Sequence, residues 1–189
     1  MKTLFLIIVA VLIIDNGCRS RKPSVIDTVY VPEQPSSAAE TYKIYSDPTT
    51  WLLGYFNINR FNQQPHSDWF LKGKEEYNYD QETVNKLKNI SNSGITIKIV
   101  LGTWCPDSRR EVPRFMKILD AIDFPGDKLQ FIGVDNMKIS PIENYDALDI
   151  QRVPTFIFYR NNIESGRIIE NPVTSLEQDM LDILTRNEK

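Results

Sequence analysis

The chain contains few of the residues that build disulfide-stapled or metal-bound folds. It has two cysteines, Cys18 and Cys105, and one histidine, His66, which we expect on the surface or in a loop. A single histidine without a Cys, His or carboxylate cluster at ligand spacing argues against a metal site, and no other cofactor is indicated. Two distant cysteines cannot form a disulfide framework. The fold must therefore depend on an ordinary hydrophobic core.

A basic excess is also missing. The formal net charge is -3, and no long basic run occurs in the body of the chain. Domains that bind nucleic acid concentrate Lys and Arg on one face, so we expect no nucleic-acid partner. With 189 residues, of which 41% are hydrophobic, the chain can bury one core but is short for two domains.

The first 18 residues have the pattern of an export signal. Leu4–Ile14 is an uninterrupted apolar stretch, too short to span a bilayer easily. Gly17-Cys18 resembles a bacterial lipoprotein cleavage site, although Asp15 stands where a leucine-like residue is usual. We expect 1–18 to be a signal-peptide or lipoprotein-type segment and Cys18 to carry lipid, on the periplasmic side of the cell envelope. Ordinary cleavage and an uncleaved anchor are the alternatives.

Composition divides the rest of the chain into a tether and a domain. Residues 19–46 are rich in Pro, Ser, Ala and Glu, which predicts a tether to the membrane. The domain then covers 47–189, with a helical N-terminal part over 47–94 and a core over 95–189.

Three helices are predicted in the N-terminal part. The first begins at Asp47-Pro48, a cap and a first-turn proline, and continues through apolar residues at helical spacing as far as Phe56. Ser67 is the predicted cap of a second helix, and a third runs from about Tyr79 to Ile90. The many aromatic residues here are predicted to pack in the core, with a partner-binding surface as the alternative.

The core predicts an α/β fold. A β-α-β unit followed by a β-β-α unit implies a mixed sheet flanked by helices. The predicted elements are strand Thr96–Leu101, helix Pro106–Asp120, strand Leu129–Val134, a short helical piece near 142–148, strand Thr155–Tyr159, a turn at Asn161-Asn162, strand Arg167–Glu170 and a helix opened by a capping box, Thr174–Glu177.

The most informative residue is Cys105, at a strand-to-helix junction. A helix N-terminus has unpaired N–H groups and a partial positive charge, which stabilise a thiolate. The charge of Asp107 acts against the thiolate, whereas Arg109 or Arg110 favours it if oriented inward. We expect both arginines to lie in solvent, with an inward arginine as the alternative. The spacing Cys105-x-x-Ser108 is that of a dithiol motif whose second cysteine is a serine. A buried, inert cysteine is the other interpretation.

Four separated matches between about Ile95 and Arg186 resemble the thioredoxin family. Trp104-Cys105-Pro106-Asp107-Ser108 is similar to the Trp-Cys-x-x-Cys active site, and Pro113 matches the family's helix-kinking proline. Val153-Pro154-Thr155 resembles the cis-proline loop, and the paired strands from Phe156 to Glu170 resemble the closing hairpin. The resemblance implies a thioredoxin-like fold with a cis Pro154 close to Cys105.

Predicted export and the sequence Glu111-Val112-Pro113 narrow the resemblance to membrane-anchored, TlpA-like envelope thioredoxins. It implies thiol-disulfide exchange outside the cytoplasm, with Cys105 as the nucleophile. The other site residues it implies are the catalytic Ser108 and Pro154, and the substrate-binding Trp104, Pro106, Val153 and Thr155. Ser108 would either hydrogen-bond the thiolate or serve only as a small residue that fits this position.

Two departures limit the resemblance. Ser108 replaces the resolving cysteine, so a mixed disulfide at Cys105 needs an external thiol for its release. Ile99 stands where thioredoxins bury an acid that helps move protons, and that role is absent or falls to Glu111. A peroxidase is disfavoured because Gly102, three residues before Cys105, is not the threonine those enzymes need.

The leading hypothesis is a monothiol protein that forms mixed disulfides with extracytoplasmic proteins or small thiols, as an isomerase does. The alternative is a redox-inactive thioredoxin-fold module that binds a protein through its groove.

Overall fold

The computed structural model describes residues 43–186, whose strands form one mixed sheet of five. The strands are β1 (Gly54–Phe56), β2 (Ile95–Leu101), β3 (Leu129–Gly133), β4 (Thr155–Arg160) and β5 (Ile163–Ile169). Their spatial order is β1-β3-β2-β4-β5. Only β2 and β3 run parallel, and the remaining neighbours are antiparallel. This is the mixed α/β sheet of a thioredoxin-like fold, as predicted.

Four α-helices accompany the sheet between residues 47 and 186, in addition to the helical residues 43–46. They are α1 (Ser67–Glu76), α2 (Gln81–Lys88), α3 (Pro106–Ala121) and α4 (Leu176–Thr185). Short 3-10 turns lie at Pro48–Thr50, Ile58–Asn62, Gly126–Lys128 and Tyr145–Leu148. The predicted core elements agree closely with these bounds, except that β5 begins four residues earlier than the predicted Arg167.

The predicted helix after Asp47 is wrong. Asp47 does cap a turn, because its side chain accepts a hydrogen bond from the Thr49 N–H, but that turn ends at Thr50. The chain then becomes strand β1, in which Gly54 has a φ of +71°, a value outside the helical region. Pairing of β1 with β3 satisfies backbone groups that a helix would have paired internally.

Two predicted caps are also wrong. Ser67 is the first residue of α1 rather than its cap, because the N-cap is His66. At α4 the cap is Ser175, whose side chain accepts from the Gln178 N–H, so the predicted box is displaced by one residue. Glu177 therefore does not take part in the cap, and its side chain is buried.

The core lies between the sheet and the helices. The β2 side chains Ile95, Ile97 and Ile99 are fully buried, and α3 packs Val112 and Phe115 into the same cluster. The aromatic residues of the N-terminal part mostly join this core, as predicted: Phe61 is fully buried. Its ring stacks on Phe70 with centroids 4.7 Å apart.

Several predictions concern residues outside 43–186. The export segment 1–18, the lipid site at Cys18 and residues 19–42 of the tether lie outside the described residues. The last four residues of the predicted tether, 43–46, are helical. Within the described part of the chain, no helix combines the length and hydrophobicity needed to cross a membrane.

Candidate active site

Cys105 is the N-cap residue of α3, one turn after the end of β2. Its backbone is extended, and its N–H donates to the Gly102 carbonyl at 2.9 Å. Pro106 occupies the first helical position, where a missing N–H costs nothing because that group has no partner within the helix. The junction therefore holds the thiol at the positive end of the α3 dipole.

The cis-proline loop lies beside this thiol. The Val153–Pro154 peptide bond is cis, as the resemblance implies. The Cys105 Sγ donates to the Val153 carbonyl at 3.4 Å, and the Cys105 residue is only 7% exposed. The Thr155 Oγ1 donates to the Arg152 carbonyl at 2.7 Å, which ties the loop to the start of β4. Two sequence motifs 48 residues apart are thus brought into contact.

Ser108 occupies the position of the missing second cysteine and is fully buried. Its Oγ accepts a hydrogen bond from the Gly102 N–H at 3.3 Å. Of the two interpretations of Ser108, this contact favours a small residue that fits, with the hydroxyl bonded to the turn before α3. Among residues 43–186, Cys105 is thus the only thiol at the motif.

Trp104 covers one side of the motif. Its Nε1 donates to the Val134 carbonyl at 3.0 Å, and its ring centroid lies 6.3 Å from that of Trp51. Gly102 is packed under the indole: a Cβ added there would lie 2.5 Å from the ring. Only glycine permits this close approach.

Arg109 points toward the thiol region, and the prediction that it lies in solvent is wrong. It is half-buried, and its NH1 donates to the carbonyls of Thr103 at 2.9 Å and Trp104 at 2.8 Å. Its guanidinium carbon lies 4.2 Å from the centre of the Tyr45 ring. Burial lowers the pKa of Arg109 from its ordinary value, while the charges of Tyr45 and Cys105 act in the opposite direction.

The other charged residues near the motif form a separate ion-pair network. Arg110 pairs with Asp107 at 2.7 Å and with Glu111 at 2.5 Å. The buried Glu111 also pairs with Arg114 at 3.2 Å. These pairs offset the charge of Asp107 and give Glu111 a structural role, so they do not support Glu111 as the proton carrier that replaces the acid missing at Ile99.

An aromatic groove runs past the motif. Its volume is about 440 Å³. The lining residues are Tyr45, Ser46, Pro48, Trp51, Trp104, Pro106, Arg109 and Asn136. Trp104 and Pro106 flank Cys105 in the chain, so the groove lies next to the motif, although Cys105 itself is not one of its lining residues. Tyr45 and Ser46 belong to the predicted tether and Trp51 to the predicted first helix, so these three groove residues were not predicted as site residues.

The metal prediction concerned His66 alone. Residues 43–186 hold no cluster of His, Cys, Asp or Glu suited to a metal ion. His66 lies in the turn before α1, in agreement with the expectation of a loop residue, but it is not on the surface: it is buried beside Tyr45, with ring centroids 6.3 Å apart.

Comparison with known proteins supports a thioredoxin-like chain. No protein-family model matches the sequence. A protein of Dictyostelium discoideum named "Putative thioredoxin-5" is 29% identical over 117 residues, which are 61% of this chain and 99% of that relative. The 1.5 Å crystal structure of a Pseudomonas aeruginosa protein of unknown function shares the fold, with a TM-score of 0.51 and 13% identity over 82% of this chain and 98% of the other.

Proposed function

We propose that this chain is a monothiol, thioredoxin-like protein that exchanges disulfides with extracytoplasmic proteins or small thiols, as an isomerase does. The observation that carries the proposal is the position of the Cys105 Sγ, at the N-terminus of α3 and 3.4 Å from the carbonyl that precedes cis Pro154. Helix dipole and backbone N–H groups stabilise the thiolate that attacks a disulfide.

The described residues alone can carry the reaction only as far as the mixed disulfide. The Cys105 thiolate attacks one sulfur of the client disulfide, forms a new S–S bond and releases the other client sulfur as a thiolate. Cys105 is the only cysteine among residues 43–186. A thiol of the client, of a small molecule or of a second protein must therefore attack the mixed disulfide to free Cys105, and this suits isomerisation.

The loop and the motif supply the substrate contacts in this proposal. Pro154 positions the client segment beside the thiol, and the backbone of Val153 offers hydrogen bonds to it. Thr155 is buried between β2 and β5 and supports the loop from behind. Trp104 and Pro106 contribute apolar contact on the other side of Cys105.

The proposed location is the periplasmic side of a membrane, with lipid on Cys18 as the anchor. The support is the sequence pattern of residues 1–18. Attachment of radiolabelled palmitate to the intact chain, and its loss in Cys18→Ser, would test this; equal labelling of both would refute it.

The proposed chemistry is tested in the full-length chain carrying Cys18→Ser, so that Cys105 is the sole thiol. Incubation with a peptide disulfide should give a mass increase equal to one half of the disulfide, reversed by dithiothreitol and absent in Cys105→Ser. Ser108→Cys should shorten the lifetime of this adduct, because a second thiol on the same helix turn can displace the client. An unmodified Cys105 after prolonged incubation would contradict the proposal.

The second candidate is a redox-inactive protein-binding module, favoured by the small exposure of Cys105, 7%. A module of this kind would hold its partner through the groove without a covalent bond. Partner recovery from an envelope extract separates the two, because Cys105→Ser should keep the partner under this hypothesis and lose it under the first.

A further inference from the structure

The groove beside Cys105 combines aromatic walls with one cation. Tyr45, Trp51 and Trp104 supply rings, and the half-buried Arg109 supplies the charge. Its volume of about 440 Å³ falls within the range of roughly 300–1,000 Å³ that is usual for small-ligand sites. The groove therefore suits a small ligand better than the flat surface of a folded protein.

Arg109 differs from four other arginines of the domain in its hydrogen-bond partners. Arg110, Arg114, Arg152 and Arg167 each form an ion pair with an acidic side chain. Among residues 43–186, Arg109 has no acidic partner; its NH1 is bonded to two backbone carbonyls. Carbonyl oxygens satisfy donors but do not neutralise the charge. A half-buried cation without a counterion favours an anionic ligand.

The rest of Arg109 is held rigidly in place. The two carbonyl bonds fix one edge of the guanidinium, and the Tyr45 ring covers its face at 4.2 Å. The two carbonyls that hold Arg109 belong to Thr103 and Trp104, the residues immediately before Cys105, so the cation lies beside the Cys105 motif. A rigid guanidinium recognises a carboxylate at a small cost in conformational entropy.

We infer that this groove selects low-molecular-weight thiols and disulfides that carry a carboxylate. The carboxylate binds Arg109, the apolar part of the ligand packs between Trp51 and Trp104, and the ligand sulfur meets Cys105. The inference rests on the proposed function and names its substrate class. In the reaction, the Cys105 thiolate attacks a disulfide RSSR, forms Cys105–S–S–R and releases RS⁻.

Two matched disulfides of opposite charge test the selectivity. Dithiodiglycolate carries two carboxylates, and cystamine carries two ammonium groups. The full-length Cys18→Ser chain should form its mixed disulfide about tenfold faster with dithiodiglycolate, after correction for the rates of each reagent with a small thiol. Arg109→Gln should remove this preference. Arg114→Gln, which deletes the same charge farther along α3, should keep it.

A second measurement leaves Arg109 unchanged, so its result does not depend on whether the variants fold. The preference for the anionic reagent should shrink as ionic strength rises from 0.01 to 1 M, because salt screens a half-exposed guanidinium. Equal rates with both disulfides, or a preference that survives Arg109→Gln, would overturn the inference while leaving the proposed exchange chemistry intact.

Absence of reaction with either disulfide would overturn the proposed function, and the groove is then judged by binding alone. S-methylglutathione has carboxylates and cannot exchange. Saturable quenching of tryptophan fluorescence, weakened at least about fivefold by Arg109→Gln, would support an anionic ligand in the groove. A flat titration would refute it.

Discussion

The burial of His66 predicts that protonation of this side chain in acid destabilises the domain. The ring lies among Tyr45, Phe61 and Trp69, at centroid distances of 6.2 to 6.4 Å. Its Nδ1 has no hydrogen-bond partner within residues 43–186. A protonated ring would need a partner for this nitrogen and would also place a charge in an apolar setting. Burial, and secondarily the charge of Arg60, lowers the pKa of His66 to about 4.

The sign and size of the effect follow from the two protonation equilibria. The unfolded chain takes up the proton near pH 6.5, whereas the folded protein keeps His66 neutral down to about pH 4. The stabilising effect is therefore fully present above pH 6.5 and is lost as the pH falls toward 4. At 1.36 kcal/mol for each pKa unit, the loss in the free energy of unfolding is about 3 kcal/mol.

The assay follows the ring and the stability separately. Because His66 is the only histidine in the chain, its ring protons can be titrated by NMR without ambiguity. Urea unfolding at pH 7 and pH 4 should show a smaller loss of stability in His66→Phe than in the unchanged protein, since phenylalanine does not titrate. A titration midpoint near 6.5, or equal losses in both proteins, would refute the burial argument.

Two further substitutions test buried polar contacts. Ser108→Ala removes the acceptor of the Gly102 N–H and should lower the free energy of unfolding by about 1–3 kcal/mol, measured by urea denaturation. Ser108→Thr keeps the hydroxyl, so its free energy of unfolding should fall by less if the added methyl is accommodated. Glu177→Ala leaves the Tyr77 hydroxyl and the Asp80 N–H without their acceptor and should cost about 2–4 kcal/mol, with an unchanged unfolding free energy contradicting the contact.

Residues 95–186 could be predicted because local signals and tertiary pairing agree there. In β2, Ile95, Ile97 and Ile99 alternate with less buried residues, which is the period of a half-buried strand. Asn161 and Asn162 both adopt positive φ, which this residue type tolerates in a turn between strands. Each element was marked by residues within the element itself.

The segment before α1 could not be predicted in this way. Leu52 and Gly54 are buried and Leu53 and Tyr55 are exposed, a strand period that the helical spacing of the same apolar residues concealed. The strand exists because β1 pairs with β3, where Gly54 lies opposite Gly133. That partner is 79 residues away, so the deciding contact leaves no mark near the segment.

The two parts of the candidate site, the Cys105 motif with its proline loop and the groove, differ in the same respect. Cys105 and Pro154 were found because each belongs to a motif, whereas the groove is completed by Tyr45, whose contact with Arg109 spans 64 residues. One local signal was available: Arg109 follows Cys105 by four residues, so both lie on one side of the first turns of α3. That spacing favours an inward arginine, and the Tyr45 ring then decides its direction. In the proposed exchange, chemistry at the thiol and selection of the substrate depend on different segments, so a change at Tyr45 should alter ligand preference while the contact between Cys105 and Val153 remains.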